Sequence, residues 1–540
     1  MLPPFLSALP GPVQRWVVRG FFTLLLLLGV LLHRDYGVSW DEPTDHLNGL
    51  VNVKYIAGLV APERVRQQPT TRLIPELAGY RDNDHGVVFE VPMSVLSYLF
   101  VHQNPPAYYF LRHFLLFVLF IVGVWSVYRI GLRWLGDWRY ALLASLWLVL
   151  TPRLFAEAFY NGKDMLFLAL FALGMSTLMR LQAHPTAGRA AWHGVATALA
   201  IDARIMGLLL VAYTAGLFTL LLLEQPAQRG RLVRVFGLYL LVAVAATLVG
   251  WPYLWADPLG HFLEAFRRLS HYPWRFTNLY LGHFYKAHEV PWHYVPVWLL
   301  VTTPVCYVVL AAVGLGTSFR EALRRPLLAP VGRHRLGLLV VAWLLGPVCL
   351  VILLQSSLYD SWRHLYFVYP ALVLLAARGV QALLSARRTR TGVWRAAAAG
   401  VLVLGALETA YTVVRMVRLH PFQFAYFSFL PGPVAERLFE RDYWGLSVRQ
   451  GLEWLVRYQP TGPLRIHVRW PMHNPLYNNS LLLPEQQRRR IQYVPYDSAD
   501  YFLTTYRWHP QSFRDSVGPE IHAIHAEQIR ILSVFRTPRR

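Results

Sequence analysis

Cysteine is nearly absent from this chain: two in 540 residues, Cys306 and Cys349, each inside an apolar run. That excludes a disulfide framework and any CxxC metal or redox motif. Charge is scarce as well. Asp, Glu, Lys and Arg make up 15% of the residues and hydrophobic types 55%, whereas a soluble protein of this length carries more charge and fewer long apolar runs. No internal repeat and no low-complexity tract stands out. The histidines between 261 and 293, among them His271, His283, His288 and His293, lack tight metal-ligand spacing. No motif calls for a cofactor, and a divalent metal is compatible with the sequence but not indicated by it.

What is present in quantity is apolar sequence with aromatic borders. Nineteen Trp and 29 Tyr suit residues that anchor at membrane interfaces. The net charge of +22 could suggest nucleic acid. Much of the Arg, however, sits in short loops between apolar runs, so membrane topology accounts for it and no nucleic-acid partner is expected. The first apolar segment ends in His33-Arg34-Asp35-Tyr36 without a small-residue cleavage signature, and reads as a retained first transmembrane helix.

A span needs about 20 apolar residues, and candidates run from 16–33 to 396–416, with single spans expected at 138–156 and 295–316. Residues 192–223 form one apolar run interrupted by Asp202 and Arg204. As one helix it would rise roughly 48 Å against a core of about 30 Å. Two short helices with a turn at 202–204 fit better, one long tilted helix being the alternative. Two helices give about eleven spans. They also place Arg129, Arg133 and Arg139, Arg180 and Arg189, Arg229, Arg231 and Arg234, Arg320, Arg324, Arg325, Arg333 and Arg335, and Arg387, Arg388, Arg390 and Arg395 in inner loops. The expected fold is a polytopic α-helical membrane protein with a cytoplasmic N-terminus. Its first outer loop, 34–107, carries amphipathic helices along Leu47–Leu59 and Val91–Leu99. The transmembrane domain covers 1–419. Residues 420–540 form a small outer α/β domain, with a helix near 445–458 and strands near 464–469, 491–494, 500–506 and 529–535.

On that topology the polar residues that look chemical share the outer side. Asp41-Glu42 precedes Pro43, so a helix cap is the plain explanation. A helix N-terminus also keeps a carboxylate ionised, and an ionised carboxylate can accept a proton from a hydroxyl. Asp164 starts the fourth span, as an ordinary capping Asp would, with Glu157 and Lys163 as weaker candidates beside it. Asp202 and Arg204 lie in apolar surroundings, where charge is costly, and could serve structure alone, as an Asp202–Arg204 pair or an Asp–Arg pair between helices. Tyr359-Asp-Ser-Trp-Arg363-His364 could clamp a phosphate or act as an interfacial anchor. Charge gathered at one membrane face suits chemistry on a lipid phosphate. A transporter or flippase for a lipid-linked or anionic solute would instead bury charge at mid-membrane, and a scaffold role for the C-terminal region is a third reading.

These elements, in this order, resemble the C-type (GT-C) glycosyltransferases that use polyprenyl-phosphate sugars. The protein O-mannosyltransferases and lipid A aminoarabinose transferases are the nearest in pattern, over roughly residues 16–385. The family's Asp-Glu pair is matched by Asp41-Glu42, and its Glu-Lys-Pro or His-Pro-Pro element by Phe89-Glu90-Val91-Pro92. Its Arg at the second span is matched by Arg112, its Asp at the fourth by Asp164, and its basic residue between spans five and six by Arg204. Its Arg or His before a Tyr-x-x-x-Pro-type helix is matched by Arg363-His364 with Tyr369-Pro370. Val91 departs from the Lys of the aminoarabinose transferases. The resemblance implies transfer of one hexosyl or pentosyl sugar, with inversion, from a polyprenyl-phosphate donor to a hydroxyl on a protein or glycolipid. The reaction would occur at the outer face of a bacterial inner membrane, in cell-envelope glycosylation. It implies Asp41 as base, with Glu42 and Asp164 orienting base or acceptor. Arg204, Arg363, His364 and Arg112 would hold the donor phosphate, and Glu90, Asp202 and Tyr359 would support the acceptor.

Overall fold

The computed structural model describes residues 11–101, 104–270, 272–324 and 333–538. Arg325 and His271 lie outside them, as does the Arg333 side chain. The protein is a bundle of long apolar helices with a small mixed sheet at one end. Among the described residues nine helices are long and apolar enough to cross a membrane, or ten if a bent pair counts as one span. They include α1 (Pro12–Leu32), α4 (Pro105–Leu135), α7 (Asp164–Ala183) and α16 (Gly392–Leu419). Between α1 and α4 lie α2 (Glu42–Val60) and α3 (Glu90–Phe100), the two helices expected in the first loop.

Two expected spans are broken, each at a proline. The run 138–156 divides into α5 (Trp138–Val149) and α6 (Pro152–Tyr160), bent by 68°. The run 295–316 divides into α12 (Tyr294–Thr302) and α13 (Val305–Leu323) around Pro304. Proline has no N–H for the preceding turn and starts the next helix instead. The third break was expected. α8 (Ala187–Ala203, 17 residues) ends where Arg204 turns extended, at φ −156° and ψ 137°, and α9 (Leu208–Glu224) follows a short turn. α8 itself is shorter than the helices counted as spans.

The chain alternates between two ends of the bundle, through α10 (Arg229–Gly250), α14 (Arg333–Leu353) and α15 (Tyr369–Thr389), whereas α11 (Pro258–Ser270), at 13 residues, is not among the spans. At one end Arg335 pairs with Glu224, Arg378 with Glu321, and Arg231 with the Pro185 carbonyl. At the other end Tyr36 stacks on Phe159, Arg204 meets Asp164, and Arg363 meets Asp164. The acidic and basic residues singled out in the sequence lie at this second end.

The aromatic, His-rich stretch after α11 forms a hairpin, β1 (Thr277–Tyr280) with β2 (His283–Lys286). The C-terminal sheet has the order β4-β3-β5-β7-β6. Its strands are β3 (Leu464–His467), β4 (Ile491–Tyr493), β5 (Tyr501–Thr504), β6 (Glu520–Ala526) and β7 (Ile529–Arg536). β3 is parallel to β4 and β5, while β7 is antiparallel to β5 and β6. β6 was not anticipated, because its Glu-Ile-His-Ala-Ile-His-Ala pattern carries little β-branched or aromatic signal. Helix α17 (Val448–Tyr458) turns Val448, Leu452, Leu455 and Val456 onto the sheet core. Residues Phe424–Phe427 and Phe439 pack with the helices instead.

One close helix crossing in the bundle depends on two glycines. A Cβ on Gly314 of α13 would collide with the Leu375 carbonyl oxygen, and one on Gly379 of α15 with that of Leu310. Small residues let backbones touch where lipid supplies no hydrophobic drive between helices. Gly379→Val is expected to cost about 1–3 kcal/mol through overpacking, seen as a lower melting temperature of detergent-solubilised protein. An unchanged melting temperature would mean that the crossing relaxes.

Candidate functional site

The start of α2 decides how its two carboxylates are used. Asp41 occupies the N-cap position but makes no side-chain cap bond. Glu42 turns back and accepts the Ser39 N–H at 2.6 Å through Oε2. Its other oxygen meets His113 Nε2 at 3.0 Å. Glu42 is fully buried, whereas Asp41 remains 30% exposed and lies 3.4 Å from Arg363 Nη1. The local backbone task thus falls to Glu42, and the Asp41 carboxylate faces the site.

One turn along the same face comes Asp45, which the sequence reading missed although its i+4 spacing from Asp41 was a usable signal. Its oxygens meet Lys163 Nζ at 2.8 Å and Arg112 Nη2 at 3.4 Å. Burial pushes the Asp45 carboxyl up to about 7, with Lys163 pulling the other way. Arg112 also grips Glu90 with two nitrogens, at 2.6 and 2.9 Å, and approaches Glu42 at 3.5 Å. Arg112 was expected among the phosphate ligands. It has no exposed surface and lies among three carboxylates, Glu42, Asp45 and Glu90. His113 was likewise overlooked.

A second group faces the first. Asp164 opens α7, its N–H donating to Asn161 Oδ1 at 2.9 Å. Its carboxylate takes Arg204 on one oxygen and Arg363 Nη1 on the other, the latter at 3.0 Å. The extended backbone at Arg204 carries that guanidinium out of the helix line and onto Asp164. Asp202 does not pair with Arg204. It accepts the Val88 N–H at 2.9 Å and ties the 86–88 loop to the end of α8, to one side of the charged cluster. Arg363 Nη2 reaches Asp360 at 3.2 Å, and its guanidinium lies over the rings of Tyr359 and Trp444 at 5.0 and 4.9 Å. Tyr359 stacks on Trp274 at 4.2 Å. His364 stands edge-on to Tyr359 at 4.5 Å, its Nδ1 buried without a hydrogen-bond partner.

Three charged groups in this cluster retain appreciable exposure: Asp41 (30%), Lys163 (28%) and Arg204 (20%). Of these, Lys163 also lines a small cleft with Asp45, Glu90, Gly162, Leu166 and Ala203. The arrangement offers one carboxylate able to take a proton beside cations able to meet an anion. Below it, Glu157 accepts hydroxyl bonds from Tyr366 at 2.8 Å and Tyr443 at 3.1 Å and an Asn161 amide bond at 2.8 Å, and is fully buried. Glu157 is a structural brace. Among the described residues no group of three or more His, Cys, Asp or Glu side chains is placed to hold a metal ion.

No family model and no curated protein matches the sequence. Among solved structures the chain is similar to ArnT from Cupriavidus metallidurans bound to undecaprenyl phosphate, at 15% identity. That match covers 96% of this chain and 98% of that one, with a TM-score of 0.49. The apo form of the same protein matches at 14% identity over the same shares, again at 0.49. An Archaeoglobus fulgidus oligosaccharyltransferase, in complex with zinc and sulfate, matches at 11% identity over 75% of this chain and 54% of that one, with a TM-score of 0.40.

Removing one partner from a buried ion cluster costs about 3–5 kcal/mol because the remaining charges stay uncompensated. Arg112→Met is therefore expected to abolish or strongly reduce folded protein. Asp41→Asn, at a partly exposed position, should change stability by about 1 kcal/mol or less. Melting curves of the two variants in the same detergent check the contrast.

Proposed function

We propose that this chain is a membrane glycosyltransferase that moves one sugar from a polyprenyl-phosphate donor to an acceptor hydroxyl. The observation that carries the reading is Asp41: a carboxylate without a side-chain bond to its helix, partly open, and 3.4 Å from Arg363, which shares Asp164 with Arg204. In this scheme the acceptor oxygen attacks the anomeric carbon as its proton passes to Asp41. The bond from that carbon to the phosphate oxygen breaks, and the polyprenyl phosphate leaves as an anion. An anionic leaving group needs neutralising charge more than a general acid, which Arg204, Arg363 and Lys163 supply, with His364 beside them. Glu42 and Asp164 fix the base and its cations, Glu90 shapes the cleft, and Tyr359 supports Arg363. Direct attack inverts the anomeric centre.

The positive-inside bias supports the orientation. The arginine-rich loops lie at the bundle end opposite the site, which makes that end cytoplasmic and the site, with the region after 419, extracytoplasmic. A bacterial inner membrane suits this arrangement. The sugar, hexosyl or pentosyl, and the acceptor, protein or glycolipid, are matters for assay. A transporter of anionic solutes is less well supported. Its reading calls for charge on broken helices at mid-membrane, whereas the helix break beside Arg204 lies at the bundle end with Asp164.

Purified protein mixed with polyprenyl-phosphate sugars and candidate acceptors should yield a glycosylated acceptor by mass spectrometry. Asp41→Asn should lower turnover by roughly 10²–10⁴-fold and remove one glycan from cells at normal protein level. An unchanged glycan profile would eliminate Asp41 as base, and a retained anomeric configuration would eliminate direct attack.

A further inference from the structure

Arg363 is held on a strained backbone. Asp360 and Ser361, neither of them glycine, carry φ of 56° and 66°. Such left-handed residues cost about 1–3 kcal/mol each and persist where their surroundings fix them. Here the fixing groups come from distant segments. The Asp360 N–H donates to Asn278 Oδ1 of β1 at 3.1 Å. The Asp360 carboxylate is divided: Oδ2 takes Arg363 Nη2 at 3.2 Å, and Oδ1 takes Arg507 Nη2.

Arg507 follows β5 in the C-terminal sheet and is itself well fixed. Its Nη1 donates to the Tyr443 carbonyl at 2.6 Å, and its guanidinium lies over Trp508 at 4.4 Å and Trp40 at 5.2 Å. Trp40, which precedes Asp41, is anchored in turn by its N–H to the Trp444 carbonyl at 3.1 Å. Glu440 lies nearby, with both carboxylate oxygens buried and without hydrogen-bond partners. Burial, then the Asp360 charge, pushes Glu440 up to about 8.

We infer that the C-terminal region completes the site, with Arg507 a positioning residue that aims Arg363 through Asp360. A carboxylate and a guanidinium left to themselves prefer a two-point pairing. By occupying Oδ1, Arg507 limits Asp360 to one contact with Arg363 and leaves Nη1 for Asp164 and Asp41. Without Arg507, Asp360 can take both nitrogens, draw Nη1 off Asp164 and let the left-handed segment relax. The inference rests on the proposed reading in one respect, that Arg363 serves an anionic ligand.

The test uses the full chain in nanodiscs with undecaprenyl phosphate as probe. Binding is read by native mass spectrometry, and amide hydrogen exchange is followed over 359–366. Arg507→Gln is expected to weaken binding roughly tenfold or more, about 1.4 kcal/mol, and to speed exchange over 359–366. Arg507→Lys, which keeps a cation at Oδ1, should bind within about threefold of the native chain. Should Arg507→Gln not accumulate, the isosteric Asp360→Asn supplies the same two readouts. Native binding and native exchange in Arg507→Gln, or in Asp360→Asn where that replaces it, would overturn the positioning role. If the native chain does not bind undecaprenyl phosphate, the transferase reading fails instead, and exchange over 359–366 still decides whether Arg507 sets the Arg363 segment.

Discussion

A charge taken out of water is costly unless it is paired, and Arg363 is paired three times over. It is almost wholly buried and faces Asp41, Asp164 and Asp360, which come from three segments far apart in the chain. Replacing hydration by protein carboxylates brings the ends of several helices together, because none of these charges is tolerable there alone. Arg112 does the same for Glu42, Asp45 and Glu90. The two guanidiniums act as hubs, one for Glu42, Asp45 and Glu90 and the other for Asp41, Asp164 and Asp360.

The helical bundle makes those fixed points durable. Apolar helices with buried faces hold position well, and their breaks at Pro152, Arg204 and Pro304 fall where the chain turns. The break at Arg204 joins architecture to chemistry. Leaving the helix at that residue frees a guanidinium for Asp164, and the neighbouring carboxylate of Asp202 is used to anchor a loop.

Much of this was readable in the sequence, and the gaps have physical causes. Asp41, Asp164, Arg204 and Arg363 stood out because charge next to long apolar runs is expensive, and the structure gathers all of them. The turn at 202–204 followed from helix length against membrane thickness. Sign of charge is legible in a sequence, whereas burial and partner are not. Arg112 read as an anion ligand, and the three carboxylates around it were not legible. Asp202 read as a partner for Arg204, although a backbone N–H claims it. Asp45 carried a helical-spacing signal that was overlooked. The pairing of Arg507 with Asp360 carried none, since it spans 147 residues of sequence and depends on how the C-terminal sheet sits on the bundle.

The divided carboxylate of Asp360 bears on how such chains can be recombined. A hybrid joining these helices to the C-terminal region of a different protein would inherit Arg363 together with a half-satisfied Asp360. Unless the incoming region brings a cation to that oxygen, the hybrid keeps every helix and loses the aim of its arginine. The two parts of this chain are therefore one heritable unit at Asp360, whatever their separate cores suggest about modularity.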